Sequence, residues 1–171
     1  FKLFNKRLNE SGLVKLFQLI ESPLIHVLAQ MEIDGIRLDS NALMEYAKIL
    51  NKELNRIKNN IFLLSGEEFN ISSPKQLGEI LFDKMKITDK IKKTKSGQYS
   101  TSEETLLKFK NENQIIRKIL DYRALQKLIS TYVVALPKLI NKDTLRIHTT
   151  FNQAIASTGR LSSSNPNLQN I

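Results

Sequence analysis

Residues 40–64 read SNALMEYAKILNKELNRIKNNIFLL. Leu43, Ala47, Leu50, Leu54, Ile57 and Ile61 recur there at helical spacing, and Asp39 or Ser40 stands where an N-cap belongs. Gly66 is a natural terminator. At about 25 residues this helix is long for a globular protein, so it is expected to stand as one arm of a hairpin. A second long helix is predicted over 113–136. It starts at Asn113, carries Ile115, Ile119, Leu120, Leu125, Leu128 and Val133, and is bent or ended by Pro137. The two apolar stripes can pack as an antiparallel pair. The expected fold class is therefore mainly α, built on two long antiparallel helices with a few short strands near the C-terminal end.

Shorter elements flank this pair. Leu13, Leu16, Phe17 and Ile20 have helical spacing, and Ser22-Pro23 reads as a cap followed by proline at the first helical position. The helix that Ser22 would open carries Leu24, Val27, Leu28 and Met31 and stops near Asp34-Gly35; Ile36-Arg37-Leu38 reads as a short strand. Ser73-Pro74 opens another helix, with Leu77, Ile80 and Leu81 as its buried face. Thr101 and Glu104 have the spacing of a capping box before a short helix. Residues 84–95 hold six lysines, and 84–99 is expected to be the most mobile loop, with little apolar surface to bury. From Leu145 onward the pattern is extended, then rich in Ser, Thr and Asn.

Of the 171 residues, 41% are hydrophobic and 25% charged, a globular balance. No run approaches the roughly 18 apolar residues of a membrane-spanning helix, so no membrane partner is expected. The absence of cysteine removes disulfides, thiol catalysis and cysteine-ligated zinc, and fits a reducing cytoplasm. His26 and His148 are too few and too scattered for a histidine-rich metal site. The net charge of +9 is unevenly spread. Residues 1–80 hold 10 basic and 10 acidic side chains, whereas 81–171 hold 16 and 7. The whole excess lies in the second half, which points to a polyanion facing one part of the molecule.

The most specific text is 146–171, RIHTTFNQAIASTGRLSSSNPNLQNI. Gly159 allows a tight turn beside Arg160, whose guanidinium offers five donors in a rigid fork. Asn167 and Gln169 are two apart, so on an extended segment their amides face one side. Such donors suit the minor-groove acceptors that every base pair presents, and so suit a protein that grips any sequence.

These residues resemble the start of the palm in family A DNA polymerases, the bacterial DNA polymerase I family. Further runs in matching order carry the same resemblance: 21–24 (ESPL), 35–39 (GIRLD), 69–77 (FNISSPKQL), 100–102 (STS), 122–128 (YRALQKL) and 130–132 (STY). The resemblance covers about 21–171. It implies a fragment divided into the tail of an exonuclease-like domain (1–21), the opening of the polymerase domain at the palm base (22–39), a helical thumb (40–136) and a first, truncated palm segment (137–171). It also implies DNA-binding roles. Asn70, Ser72 and Ser73 would meet the duplex backbone, and Ser100, Thr101 and Ser102 would do so at a second helix start. Arg123 and Lys127 would contact primer–template from one helix face, with Lys92, Lys93 and Lys95 as the basic thumb-tip loop. Arg160 would grip the minor groove near the primer end, with Asn167 and Gln169 beside it on the template side.

The same resemblance implies a parent enzyme that extends a primer with dNTPs and two Mg²⁺ ions in replication and repair. That parent would be monomeric, cytoplasmic and nucleoid-associated. It would need two later aspartates and a fingers helix, and neither occurs before Ile171. Asp121 and Asp143 are isolated, so no catalytic residue, metal site or cofactor is expected in this stretch itself, and it should be inactive alone. Two other classes fit part of the pattern: a non-catalytic helical nucleic-acid-binding or repair adaptor, and a helical protein–protein module with incidental lysines.

Overall fold

The computed structural model describes residues 2–88, 91 and 97–169. The chain divides into two compact units, one formed by Phe1–Ser40 with Leu136–Ile171 and the other by Asn41–Ala135.

In the first unit, α1 (Lys2–Glu10) ends at Gly12, which takes a φ of +69°. Helix α2 (Val14–Leu16) then runs through a π turn (Phe17–Glu21) directly into α3 (Ser22–Asp34). Ser22 is therefore not a cap. Its backbone is α-helical, and its N–H reaches back five residues to the Phe17 carbonyl. The reason lies in Pro23, which has no N–H to donate and whose ring would crowd the Leu19 carbonyl in a regular helix. A wider turn just before it relieves that crowding and lets the helix continue. Helix α3 stops where expected, with the Gly35 N–H on the Met31 carbonyl at 3.0 Å and Gly35 at φ +61°.

Ile36 does not lie in a strand but forms a single antiparallel bridge with Ile147, through N···O distances of 2.8 and 2.9 Å. Beyond a 3₁₀ turn (Leu136–Leu139), β1 (Thr150–Asn152) pairs antiparallel with β2 (Ser162–Ser164). The register sets Thr150 opposite Ser164, Phe151 opposite Ser163 and Asn152 opposite Ser162.

The second unit is built on α4 (Ser40–Ser65), which Gly66 ends at φ +77° with its N–H on the Phe62 carbonyl. Ser73 caps α5 (Pro74–Gly78), and a π turn (Glu79–Lys84) extends it; Leu77, Ile80 and Leu81 are buried as their spacing requires. Helix α6 (Glu103–Leu107) is capped by Ser102, which accepts the Thr105 N–H, and not by Thr101. Thr101, one residue before the cap position, is instead buried.

Helix α7 (Gln114–Leu128) passes into a π turn (Ile129–Val133) before Pro137 is reached. Ile57 and Ile61 share a core with Ile115, Ile116 and Ile119, while Leu50 shares a second core with Ile129 and Val133. The middle of α4 thus meets the π turn that follows α7, and the late part of α4 meets the early part of α7, which makes the pair antiparallel. The flanks of the lysine-rich loop are anchored: Met85, Ile87, Ile91 and Tyr99 pack against the larger core, and Lys84 pairs with Glu67.

Candidate nucleic-acid interface

Three segments distant in sequence meet on one face of α7. The first is the turn before α5. Asn70 Oδ1 accepts the Ser72 N–H at 3.0 Å, the Asn70 N–H donates to Gln76 Oε1 at 2.7 Å, and Ser73 Oγ accepts the Gln76 N–H at 3.4 Å. These side-chain acceptors shape the turn itself. Ser72 Oγ then donates to Gln126 Oε1 on α7 at 3.1 Å, a link spanning 54 positions.

The second segment is the turn before α6. Ser100, Ser102 and Thr105 form a hydroxyl cluster, with Oγ···Oγ1 distances of 3.0 Å from Ser100 and 2.8 Å from Ser102 to Thr105. Thr101 points inward, and its carbonyl accepts from Arg123 Nη1 at 2.6 Å. The third segment is α7 itself, where Arg123, Gln126 and Lys127 lie three and four residues apart on one face.

Beside that face runs a groove of about 400 Å³, lined among others by Glu103, Leu120, Arg123, Lys127, Leu128 and Tyr132. Arg123 is half-buried. Burial presses its guanidinium pKa below the ordinary range, and the nearby Glu103 carboxylate partly restores it. A guanidinium is not deprotonated in a protein, so Arg123 stays charged. Lys127 is exposed and has no ion-pair partner among the described residues.

The structure thus gathers Asn70, Ser72, Ser73, Ser100, Ser102, Arg123 and Lys127, and turns Thr101's side chain away from them. Lys92, Lys93 and Lys95 lie outside the described residues. Sequence reasoning missed Gln126, Thr105 and Glu103. Gln126 could have been found from its i+3 spacing to Arg123, but nothing local marks its bond to Ser72.

Arg160, Asn167 and Gln169 belong to the other unit. Gly159 takes φ +74°, and its N–H closes a turn onto the Ala156 carbonyl at 3.1 Å. Arg160, next in the chain, is exposed and bonds to no described residue. Asn167 and Gln169 do not lie on an extended segment. Asn167 Oδ1 accepts the Gln169 N–H at 3.0 Å and the Ser163 hydroxyl at 3.3 Å, so the backbone folds round that side chain. The carbonyl end of Asn167 is occupied, leaving its NH₂ group as the outward donor.

The sequence profile of DNA polymerase family A matches residues 40–171. The chain is 55% identical over 153 residues to a DNA polymerase I of a Synechocystis species, covering 89% of this chain and 15% of that protein. It is 47% identical over 152 residues to a DNA polymerase I of Geobacillus stearothermophilus, covering 89% and 17%. With a DNA polymerase I of Bacillus subtilis it shares 43% over 166 residues, covering 97% and 19%. The chain therefore spans less than a fifth of the length of these relatives. Among solved structures it resembles the POL domain of Pol1 from M. smegmatis in complex with DNA primer-template and dNTP. There the TM-score is 0.79 at 36% identity, over 98% of this chain and 29% of the other.

Proposed function

Because the chain belongs to DNA polymerase family A, we propose that it is the duplex-gripping part of a DNA-directed DNA polymerase acting in replication and repair. In this reading 40–136 is the thumb, 22–39 and 137–171 are the first palm segments, and 1–21 is the tail of an exonuclease-like domain. The enzyme works as a monomer in the bacterial cytoplasm, at the nucleoid.

One observation carries the reading. The Ser72–Gln126 and Arg123–Thr101 bonds draw three polar turns and helix faces, otherwise far apart, into a single surface bearing Arg123 and Lys127. Hydroxyls, amides and cations of this kind suit phosphate oxygens, whose contacts position a protein on duplex without reading sequence. Arg160, exposed after a tight turn, is assigned to the minor groove at the primer end, with the Asn167 amide and Gln169 beside it.

Family chemistry implies two Mg²⁺ ions and dNTPs. The described residues do not fit the metals: no three His, Asp or Glu side chains gather where an ion could be held. No step of phosphoryl transfer is therefore assigned to these residues.

The test is a fluorescence-anisotropy titration of a primer–template hairpin across potassium chloride concentrations. Log affinity should fall linearly with log salt, by about 0.9 for each phosphate neutralised. Lys127→Ala should flatten that slope by about one ion. The 171-residue polypeptide should add no nucleotide with magnesium and dNTPs. Salt-independent binding, or primer extension abolished by a substitution within 1–171, would overturn the assignment.

A further inference from the structure

The turn bearing Arg160 hangs from β1 and β2, and a two-stranded ribbon has little stability of its own. What holds this one is the C-terminal half of α3. The Glu32 carboxylate accepts the Phe151 N–H at 2.6 Å. The Glu32 backbone carbonyl, in the last turn of the helix, accepts from His148 Nδ1 at 2.8 Å. A carbonyl can only accept, so Nδ1 carries a proton in either charge state of the ring, and neutral Nε2 can accept the Thr144 hydroxyl at 2.7 Å.

Gly35 permits this approach. A Cβ there would stand 2.8 Å from the His148 ring and 2.9 Å from the Ile147 carbonyl. Arg146 Nη1 donates to the Gly35 carbonyl at 3.2 Å, and Gln153 Nε2 to the Glu21 carboxylate at 3.0 Å, so the segment 146–153 that contains β1 is tied at both ends as well as within. Asn152 pairs with Ser162, two residues beyond Arg160.

We propose that Glu32 is a positioning residue for primer extension: its carboxylate, by binding the Phe151 amide beside the backbone carbonyl that holds the His148 ring, fixes the ribbon from which Arg160 reaches the primer terminus. The proposal rests on the assignment of Arg160 made above. Glu32 touches no DNA in this scheme. Its effect is on where the guanidinium sits when the 3′-hydroxyl must be aligned, and misplacement of about 1 Å costs on the order of a hundredfold in rate.

The experiment uses the full-length polymerase carrying this chain, with single-turnover incorporation and primer–template affinity measured in parallel. Glu32→Ala should slow incorporation by about tenfold to a hundredfold while leaving DNA affinity nearly unchanged. Glu32→Gln retains an oxygen for the Phe151 N–H and should restore most of the rate. Combined with Arg160→Ala, Glu32→Ala should add no further loss, because both act through one guanidinium.

Glu32→Asp, which keeps the charge but withdraws the carboxylate by one methylene, covers the case in which the alanine variant fails to fold. It should slow incorporation in the same direction. Amide hydrogen exchange at Phe151 should rise in both Glu32→Ala and Glu32→Asp and stay low in Glu32→Gln. If Arg160→Ala slows incorporation but Glu32→Ala and Glu32→Asp do not, or the losses multiply, the positioning role is overturned and the Arg160 assignment stands. If Arg160→Ala leaves incorporation intact, the assignment itself falls, and the role of Glu32 with it.

Discussion

Replacing Arg123 with alanine should cost stability as well as DNA affinity, whereas replacing Lys127 should cost affinity alone. Arg123 Nη1 donates at 2.6 Å to the carbonyl of Thr101, a residue only 6% exposed. A hydrogen bond with one charged partner contributes about 1.5–3 kcal/mol, and a buried acceptor left bare costs a similar amount. Arg123 is half-buried, so water can reach part of the vacated site and the loss falls at or below the low end of that range, about 1–2 kcal/mol. In a unit of about 95 residues, 41–135, that loss corresponds to a fall of roughly 4–16 °C in Tm.

Urea and thermal unfolding of the 171-residue chain, followed by circular dichroism, would measure it. Duplex affinity would be read at conditions where every variant is folded. Arg123→Lys should recover little stability, because an ammonium is a point donor that lacks the rigid fork of the guanidinium. If Arg123→Ala unfolds at the same urea concentration as the parent and only weakens DNA binding, the bond to Thr101 contributes nothing to stability. Arg123 would then be a phosphate contact of the kind proposed for Lys127.

Ile116 is fully buried in the larger core of the second unit, so Ile116→Ala should cost about 2–5 kcal/mol in urea unfolding; a loss near zero would mean that this core is not packed as described. The Tyr99 hydroxyl donates to Asp83 Oδ1 at 2.6 Å, and this bond, with partial burial, raises the phenol pKa above its ordinary range. A raised folded-state value means that the folded chain holds this proton more tightly. The resulting stabilisation is whole below the unfolded phenol value of about 10 and is lost as pH rises through the folded value. Asp83→Asn should lower the pH at which Tyr99 ionises, read from absorbance near 295 nm, and an unmoved titration curve would refute the assignment.

Sequence reading alone recovered much of what depends on neighbours within about four residues. The stripe of Leu50, Ile57 and Ile61, the stop at Gly66, the Ser73 cap and the buried Leu77–Ile80–Leu81 face follow from helical periodicity and from glycine's access to positive φ. The family motifs were equally legible, because they are words in the chain. Local rules misplaced the α6 cap by one residue, since Thr101 and Ser102 are equally good caps until burial takes one of them. They also broke the helix at Ser22-Pro23, because a proline at a helix start and one tolerated behind a π turn look alike in sequence.

Tertiary structure alone decided which groups meet across long separations. Gln126 with Ser72, Arg123 with Thr101, and Glu32 with Phe151 stand 54, 22 and 119 positions apart. Each pair is set by how helices and strands pack, and no local propensity of either residue encodes its partner. For that reason Arg123 could be picked out as a cation on an exposed face, while its second task, holding the carbonyl of a buried threonine, became visible only once α6 and α7 were brought together.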